Sequence, residues 1–271
     1  MLKLLKYELK KRANSLITFA IILCAADGLA IYLISKGKPY MQLGIFVIGL
    51  MFFSAVLMAF LDVATQYYND FKKSQGTLLF LTPNNGYKIV GSKMIFGALE
   101  LFTGMGLVIL LGWIANVFAV SRGYEGIVPK VAQLKEMLAI VYGSENIWLV
   151  VTGFFFLVFL QYFTTQSIAI SSITLGRTIL SKNQYNWLYA VLIFLGVIFA
   201  VQFLNGAILV LSGMGQGLFD TYTISGPDAR MNVEISKSLI KIITIAGIEY
   251  VFWIVASFFV SSTLLNKKID I

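Results

Sequence analysis

The sequence predicts an all-α integral membrane protein with six transmembrane helices, and three observations support this fold class. Hydrophobic residues make up 58% of the 271 residues and only 13% are charged, whereas roughly a quarter are charged in soluble domains. The mean hydropathy is +0.83, which leaves too little polar surface to cover a soluble globule. Long apolar segments also alternate with clusters of Lys and Arg, as expected of helices that cross a bilayer.

Six segments contain the roughly 20 apolar residues that a helix needs to cross about 30 Å of hydrocarbon. They are residues 13–34, 41–64, 94–120, 148–171, 187–211 and 242–265. The fourth and fifth segments lie in stretches that contain no charged residue, which makes them the clearest of the six. Because the segments occupy more than half of the chain, we expect a single transmembrane domain over residues 1–271.

The distribution of basic residues predicts the orientation of these spans. Six spans place both termini on the same side of the membrane. Of the 21 Lys and Arg residues, 13 lie in the N-terminal segment, residues 65–93, residues 172–186 and the C-terminal tail. Segments rich in Lys and Arg stay in the cytoplasm, so both termini are predicted to be cytoplasmic.

Residues 1–12 read MLKLLKYELKKR and predict an amphipathic helix before the first span. Leu2, Leu5 and Leu9 form one stripe of this helix, and lysines 3, 6 and 10 form another. Such a helix can lie in the membrane interface with its lysines near anionic lipid headgroups. The alternative is a solvated basic segment that only orients the first span.

The residue inventory excludes several activities. The chain has no His and one cysteine, Cys24, which excludes a disulfide, a Cys/His metal site and a His-dependent catalytic triad. The stretch 86–93 departs from a phosphate-binding P-loop because its Lys is displaced by one position. The basic residues lie between apolar blocks and do not form one soluble face, so nucleic acid is not an expected partner. We therefore expect no enzymatic activity in this chain.

The predicted cytoplasmic segment 67–93 has its own pattern. Residues 70–75 are polar and can start a short helix, residues 78–81 form an apolar patch, and residues 83–86 form a turn. An apolar patch in the cytoplasm requires a partner surface or the bilayer interface.

This pattern resembles the six-helix permease subunits of type-2 ABC exporters. Those permeases have an acidic residue, a small helix, an apolar stretch, a Leu-Thr-x-Pro-like or Leu-Pro turn and an Ile-x-x-x-Lys start of the third span. The corresponding residues here are Asp70, Gly76, Leu79, Leu81, Thr82, Pro83, Ile89 and Lys93. The basic N-terminal helix, the six spans and the short basic tail extend the resemblance over nearly the whole chain. The short loop between the fourth and fifth spans departs from it, because it has no second clear docking element.

The resemblance implies a transmembrane permease subunit of an exporter in a bacterial plasma membrane. This subunit would pair with a second copy of itself or with a homologous permease. Two separate ATPase subunits would bind ATP and Mg²⁺, and this chain would hold no cofactor or metal. The ATPase-coupling loop would comprise Asp70, Phe71, Lys72, Gly76, Leu78, Leu79, Phe80, Leu81 and Pro83. The alternative for this segment is an amphipathic loop at the bilayer surface with no protein partner.

Acidic residues within the predicted spans suggest a polar route through the membrane. Asp62 lies near the cytoplasmic end of its span, where we expect it to be interfacial, but Asp27, Glu100 and Glu249 lie deeper. A charge at the bilayer centre costs about 3 kcal/mol, and no Lys or Arg lies in any predicted span to form a pair. We therefore predict that Asp27, Glu100 and Glu249 line a translocation path for an amphipathic or cationic substrate: a peptide or toxin, a drug, or a lipid. Hydrogen bonding to nearby polar side chains is the alternative role.

Two other function classes remain open at this point. An ATP-independent channel or ion-coupled carrier would use Glu100 or Glu249 as a protonation site. A passive ligand-binding membrane subunit of an uptake system would serve transport in the opposite direction. A requirement for a transport ATPase separates the exporter from the carrier, and the direction of transport separates it from the uptake subunit.

Small residues spaced four apart also predict close contacts between helices. Ala55 and Ala59 form such a pair in the second span, and Ser167 and Ser171 form another in the fourth. Gly97, Gly104 and Gly112 punctuate the third span. This pattern is compatible both with internal packing and with a dimer interface.

Overall fold

The computed structural model describes residues 2–72, 85–124, 147–179, 186–211 and 229–268, and these residues form helices without any strand. The helices are α1 (Leu2–Ser35), α2 (Lys38–Lys72), α3 (Gly86–Ser121), α4 (Ile147–Ile179), α5 (Asn186–Leu211) and α6 (Ala229–Lys268). Each of the six predicted spans lies within one helix. All six helices are long and apolar enough to cross a membrane. The predicted all-α class with six membrane-length helices is therefore confirmed.

The helices extend beyond the apolar segments that predicted them. Helix α2 continues to Lys72 and α3 begins at Gly86, so the predicted loop 67–93 is helical at both of its ends. Residues 2–12 and the first span form one continuous helix, α1. The placement of residues 1–12 in the membrane interface stays a prediction, as does the cytoplasmic location of the termini.

The chain forms two compact units, and the predicted single domain stays a prediction. Unit 1 comprises Met1–Asn84 and Lys88–Pro129, and it contains α1, α2 and nearly all of α3. Unit 2 comprises Asn85–Tyr87 and Lys130–Ile271, and it contains α4, α5, α6 and the first residues of α3.

Apolar side chains from three helices form the core of unit 1. Leu23 of α1, Met51 and Ala55 of α2, and Val108 and Leu111 of α3 pack together and are buried. A second buried cluster contains Ile34, Ala115 and Ala119. Removing these side chains from lipid brings no hydrophobic gain, so close van der Waals packing and interhelical polar contacts hold such helices together.

Small residues permit this close packing, as the sequence predicted. A methyl group added at Gly104 of α3 would lie 3.6 Å from the Cβ of Ala55 in α2, an ordinary packing distance that places the two helices side by side. The turn between α1 and α2 also depends on a glycine, because Gly37 has a φ of +106°. That backbone conformation is rare for residues with a side chain.

In unit 2, α4 packs against both α5 and α6. The Thr164 hydroxyl of α4 donates a hydrogen bond over 3.3 Å to the Tyr250 carbonyl of α6. The Ser167 hydroxyl similarly donates to the Ile254 carbonyl over 3.4 Å. Both side chains are buried. Small polar residues on α4 therefore join two membrane helices through hydrogen bonds.

The first residue of α3 contacts the end of α6 within unit 2. The Gly86 amide donates a 2.7 Å hydrogen bond to the Asn266 side-chain carbonyl, which satisfies one of the backbone N–H groups that a helix N-terminus leaves unpaired. A Cβ at position 86 would lie 2.6 Å from the Ser262 carbonyl oxygen. Glycine is therefore required for this close approach.

Large apolar side chains cover the outer surfaces of the helices. Phe199 and Phe203 of α5 are 74% and 77% exposed, and Phe154, Phe155 and Phe156 of α4 are also exposed. Such exposure is unfavourable in water but suits a surface that faces lipid.

Candidate functional site

Unit 1 contains a buried network of charged side chains from all three of its helices. We call it the charged network, and its members are Glu8, Lys11 and Arg12 of α1, Asp62 and Asp70 of α2, and Lys93 and Glu100 of α3. Except for Lys11, the side chains are at most 9% exposed. A buried charge is tolerated only where opposite charges compensate it, so the geometry of the pairs decides what the network can do.

Four residues form one layer of this network, the Lys93 layer. The Lys93 ammonium lies 2.5 Å from a carboxylate oxygen of Glu8 and also pairs with Asp70. Lys11 pairs with the other carboxylate oxygen of Asp70. Two cations and two carboxylates therefore balance in this layer, and they join α1, α2 and α3.

Three residues form the second layer, the Arg12 layer. The Nη1 atom of Arg12 lies 3.3 Å from Asp62 Oδ2 and 3.1 Å from Glu100 Oε2. The Nη2 atom lies 3.4 Å from Glu8 Oε2, so Glu8 connects the two layers. Arg12 is fully buried, and Phe96 packs against it with the ring centre 4.3 Å from the guanidinium carbon, as in a cation–π contact.

Neutral side chains position Asp62 beside this guanidinium. The Ser15 hydroxyl donates to Asp62 Oδ1 over 3.3 Å, and the Gln66 amide donates to the same oxygen over 3.5 Å. Ser15 belongs to the same helix as Arg12, and Gln66 lies one turn beyond Asp62 on α2. The carboxylate is therefore held by both helices.

The structure corrects one expectation about the membrane carboxylates. The expected absence of a basic partner is wrong for Glu100, because Arg12 forms an ion pair with it. Arg12 reaches this buried position because α1 begins at Leu2 and continues without a break into the first span. The expected interfacial position of Asp62 stays a prediction, and the structure adds that this residue is 9% exposed and pairs with Arg12. The error for Glu100 arises from treating residues 1–12 as a separate surface segment.

Asp27 lies in unit 1 but outside the charged network. It is 4% exposed, and its Oδ1 atom has no hydrogen-bond donor among the described residues. Its position on α1 is one turn beyond Leu23, a member of the apolar core. A polar atom left in such surroundings is costly, so Asp27 remains a candidate for a functional role.

Glu249 lies in unit 2 on α6 and is half-buried. The Trp253 indole N–H donates to Glu249 Oε1 over 3.4 Å, whereas the buried Oε2 atom has no donor in the described part of the chain. The structure thus brings Glu100 together with Arg12 and Asp62, but it does not join Asp27 or Glu249 to that group. A shared path for the three acids stays a prediction.

The predicted coupling loop is described only at its beginning. Asp70 and Phe71 lie at the end of α2, which Lys72 terminates. Asp70 is 4% exposed and belongs to the Lys93 layer, while Phe71 packs edge-on against Tyr67 with ring centres 5.1 Å apart. The remaining predicted loop residues lie outside the described ranges: Gly76, Leu78, Leu79, Phe80, Leu81 and Pro83.

An open groove of about 310 Å³ lies along α1 and α2 of unit 1. Its polar lining residues are Asn14, Ser15 and Thr18, and its apolar lining residues are Phe19, Ile22 and Met58. One end of the groove is therefore polar, and Ser15 links that end to Asp62. A surface of this kind suits an amphipathic molecule.

Sequence reasoning identified Glu100 and Asp70 but missed Glu8, Lys11 and Arg12 as site residues. The available signal was the spacing of Glu8 and Arg12, which places an acid and a base on one helix face. That face is buried, while Leu9 of the predicted leucine stripe is 56% exposed. Lys93 was recognised only as the residue that starts the third span.

The six membrane-length helices and their exposed apolar surfaces define the class of this chain as a multi-pass membrane protein. Comparison of the sequence and structure with protein-family models, with curated proteins and with solved structures finds no match.

Proposed function

We propose that the chain is the transmembrane subunit of an ATP-powered exporter, and that residues 73–84 receive the movement of a separate ATPase. The observation that carries this proposal is the anchoring of the described residues on either side of that segment. Asp70, three residues before it, is bound by Lys93 and Lys11 in unit 1. Gly86, two residues after it, is bound by Asn266 in unit 2.

This anchoring supports a coupling role because a segment transmits force only through the groups that hold its ends. A displacement at residue 73 acts on a buried ion pair that joins three helices. A displacement at residue 84 acts on the first turn of α3 and on the end of α6. One contact with an ATPase would therefore act on the helices of both units.

The groove on α1 and α2 supports an amphipathic substrate. Its apolar residues suit a hydrophobic tail, and its polar residues suit a headgroup or peptide bond. Peptides or toxins, drugs and lipids have this chemistry.

The proposal includes the partners and the setting that the family resemblance implies. The chain would pair with a second copy of itself or with a homologous permease, and two ATPase subunits would supply ATP hydrolysis with Mg²⁺. The membrane would be the bacterial plasma membrane, with both termini in the cytoplasm. This chain contributes the path and carries out no covalent chemistry.

Co-purification with an ATP-binding subunit encoded beside the gene tests the proposal. The wild-type chain should retain the ATPase in detergent, and the Leu79→Asp/Phe80→Asp variant should lose it. Asn183→Asp/Gln184→Glu is the matched control, since it adds the same charge to another predicted cytoplasmic loop and should retain the ATPase. A folded wild-type chain that binds no ATPase would contradict the proposal.

A second candidate is an ion-coupled carrier or channel, which the buried acids favour. Asp27 and Glu249 each have a carboxylate oxygen without a donor among the described residues, as expected of groups that bind ions or protons in transit. Transport in vesicles that lack ATP and ATPase subunits, driven by an ion gradient alone, would support the carrier. Transport that requires both ATP and the ATPase subunits would support the exporter.

A further inference from the structure

The Arg12 layer contains one more negative than positive charge. In the part of the chain that the structure describes, Arg12 is the one cation that pairs with Asp62 or Glu100. Both carboxylates approach the same nitrogen of its guanidinium, at 3.3 and 3.1 Å. The two cations of the Lys93 layer pair with Glu8 and Asp70.

Among the described residues, no further cation pairs with the two acids to compensate this excess charge. Glu100 is 6% exposed and lies fourteen residues from the start of α3, about 21 Å along the helix. Its Oε1 atom is buried and has no hydrogen-bond donor among the described residues. In the described part of the chain, Arg12 pairs with both acids, and Glu8 and the Phe96 ring contact Arg12. The neutral Ser15 and Gln66 donate to Asp62.

We propose that Asp62 and Glu100 form a proton-binding site that holds one proton between them at neutral pH. Two carboxylates that share one site cannot both stay ionised at low cost, and a single proton makes the layer neutral. A metal ion suits the site less well, because Arg12 Nη1 already occupies the position between the two carboxylate oxygens. A proton requires only one free oxygen, and Glu100 Oε1 provides it.

Proton binding at this site is linked to the arrangement of the helices. Asp62, Glu100 and Arg12 lie on α2, α3 and α1, so a rearrangement that moves Arg12 away changes the proton affinity of the two acids. By reciprocity, binding or release of the proton shifts the equilibrium between such arrangements. This inference does not depend on the exporter assignment.

Infrared spectroscopy of the purified full chain tests the site through the C=O stretch of protonated carboxyl groups, which lies at a higher frequency than the bands of amides and ionised carboxylates. An Asp27→Asn/Glu249→Gln protein serves as the background, because it lacks the other two deep acids. We expect this background to retain a protonated-carboxyl band at neutral pH. This background protein keeps Asp62 and Glu100 unchanged. If it shows no protonated-carboxyl band, the proposal is overturned.

Two further variants in the same background test whether the proton is shared. Glu100→Gln and Asp62→Asn should each abolish the band, since each leaves one carboxylate for one guanidinium. If Glu100→Gln loses the band but Asp62→Asn keeps it, the shared site is overturned. Glu100 would then be protonated because it is buried, without any contribution from Asp62. Retention of the band in both variants would overturn it as well.

Discussion

Lys93 of α3 lies 2.5 Å from Glu8 of α1, and both side chains are buried although 85 positions separate them in the chain. The same ammonium pairs with Asp70 of α2, so one cation joins three helices of unit 1. Because no solvent can replace this cation, the stability of the unit depends on it more than on any exposed ion pair.

Lys93→Met should therefore destabilise the protein strongly. The substitution keeps most of the side-chain volume but leaves the carboxylates of Glu8 and Asp70 without their shared cation. Removing one partner of a buried ion pair lowers the free energy of unfolding by about 3–5 kcal/mol. Denaturation in detergent, followed by circular dichroism, measures the effect.

Lys88→Met provides the control for this prediction, because Lys88 is an exposed lysine on the same helix. Exposed substitutions change stability by about 0.5 kcal/mol or less. Equal stability of the two variants would show that Lys93 is not a buried partner of the two acids.

Gly86→Ala should disturb the start of α3. The new methyl group would lie 2.6 Å from the Ser262 carbonyl oxygen and 2.9 Å from the Leu265 Cβ. Overpacking of this kind lowers the free energy of unfolding by about 1–3 kcal/mol. Thermal unfolding of the full chain in detergent measures the loss.

The same substitution at Gly106 is the matched control within α3, since nothing lies within 4 Å of a Cβ there. Gly106→Ala should leave stability unchanged or raise it by up to about 1 kcal/mol, because alanine favours helix formation. The prediction fails if the two alanine variants unfold at the same temperature.

Asn266→Ala should weaken the same junction from the other side. It removes the acceptor of the Gly86 amide and leaves that N–H unpaired. Loss of a side-chain cap lowers stability by about 1 kcal/mol. Hydrogen exchange of the first turn of α3 should increase, whereas Thr263→Ala, which changes an exposed residue one turn before Asn266, should not affect it. Equal exchange in the two variants would contradict the assigned cap.

Cys24 offers a test of the membrane placement of α1. It is exposed on this helix, so in a bilayer we expect it to contact lipid. A membrane-soluble maleimide should modify it in intact vesicles, while a charged maleimide should react only after detergent is added, because a charged reagent does not enter the hydrocarbon of the bilayer. The Cys24→Ser variant controls for labelling elsewhere. Rapid modification by the charged reagent in intact vesicles would place this part of α1 in water.

The positions of the six helices could be predicted from hydropathy alone, because an apolar segment of sufficient length must satisfy its backbone hydrogen bonds locally in lipid. That reasoning also found Glu100, since a carboxylate within an apolar segment stands out by composition. It placed the helix ends poorly around residues 67–93, where Asp70 and Lys93 looked like surface charges. In the folded chain Asp70 and Lys93 form a buried ion pair, so α2 and α3 both continue past their apolar residues.

Composition and local spacing were sufficient for the class of protein, because the energy of a transmembrane helix depends mainly on its own residues. They could not identify the partners of Arg12, Asp62 and Lys93. Those pairings depend on the rotation and the register of α1 against α2 and α3, which are set by packing contacts such as that between Ala55 and Gly104. Side chains far apart in sequence meet only when such contacts form, and the charge balance of the site follows from that packing.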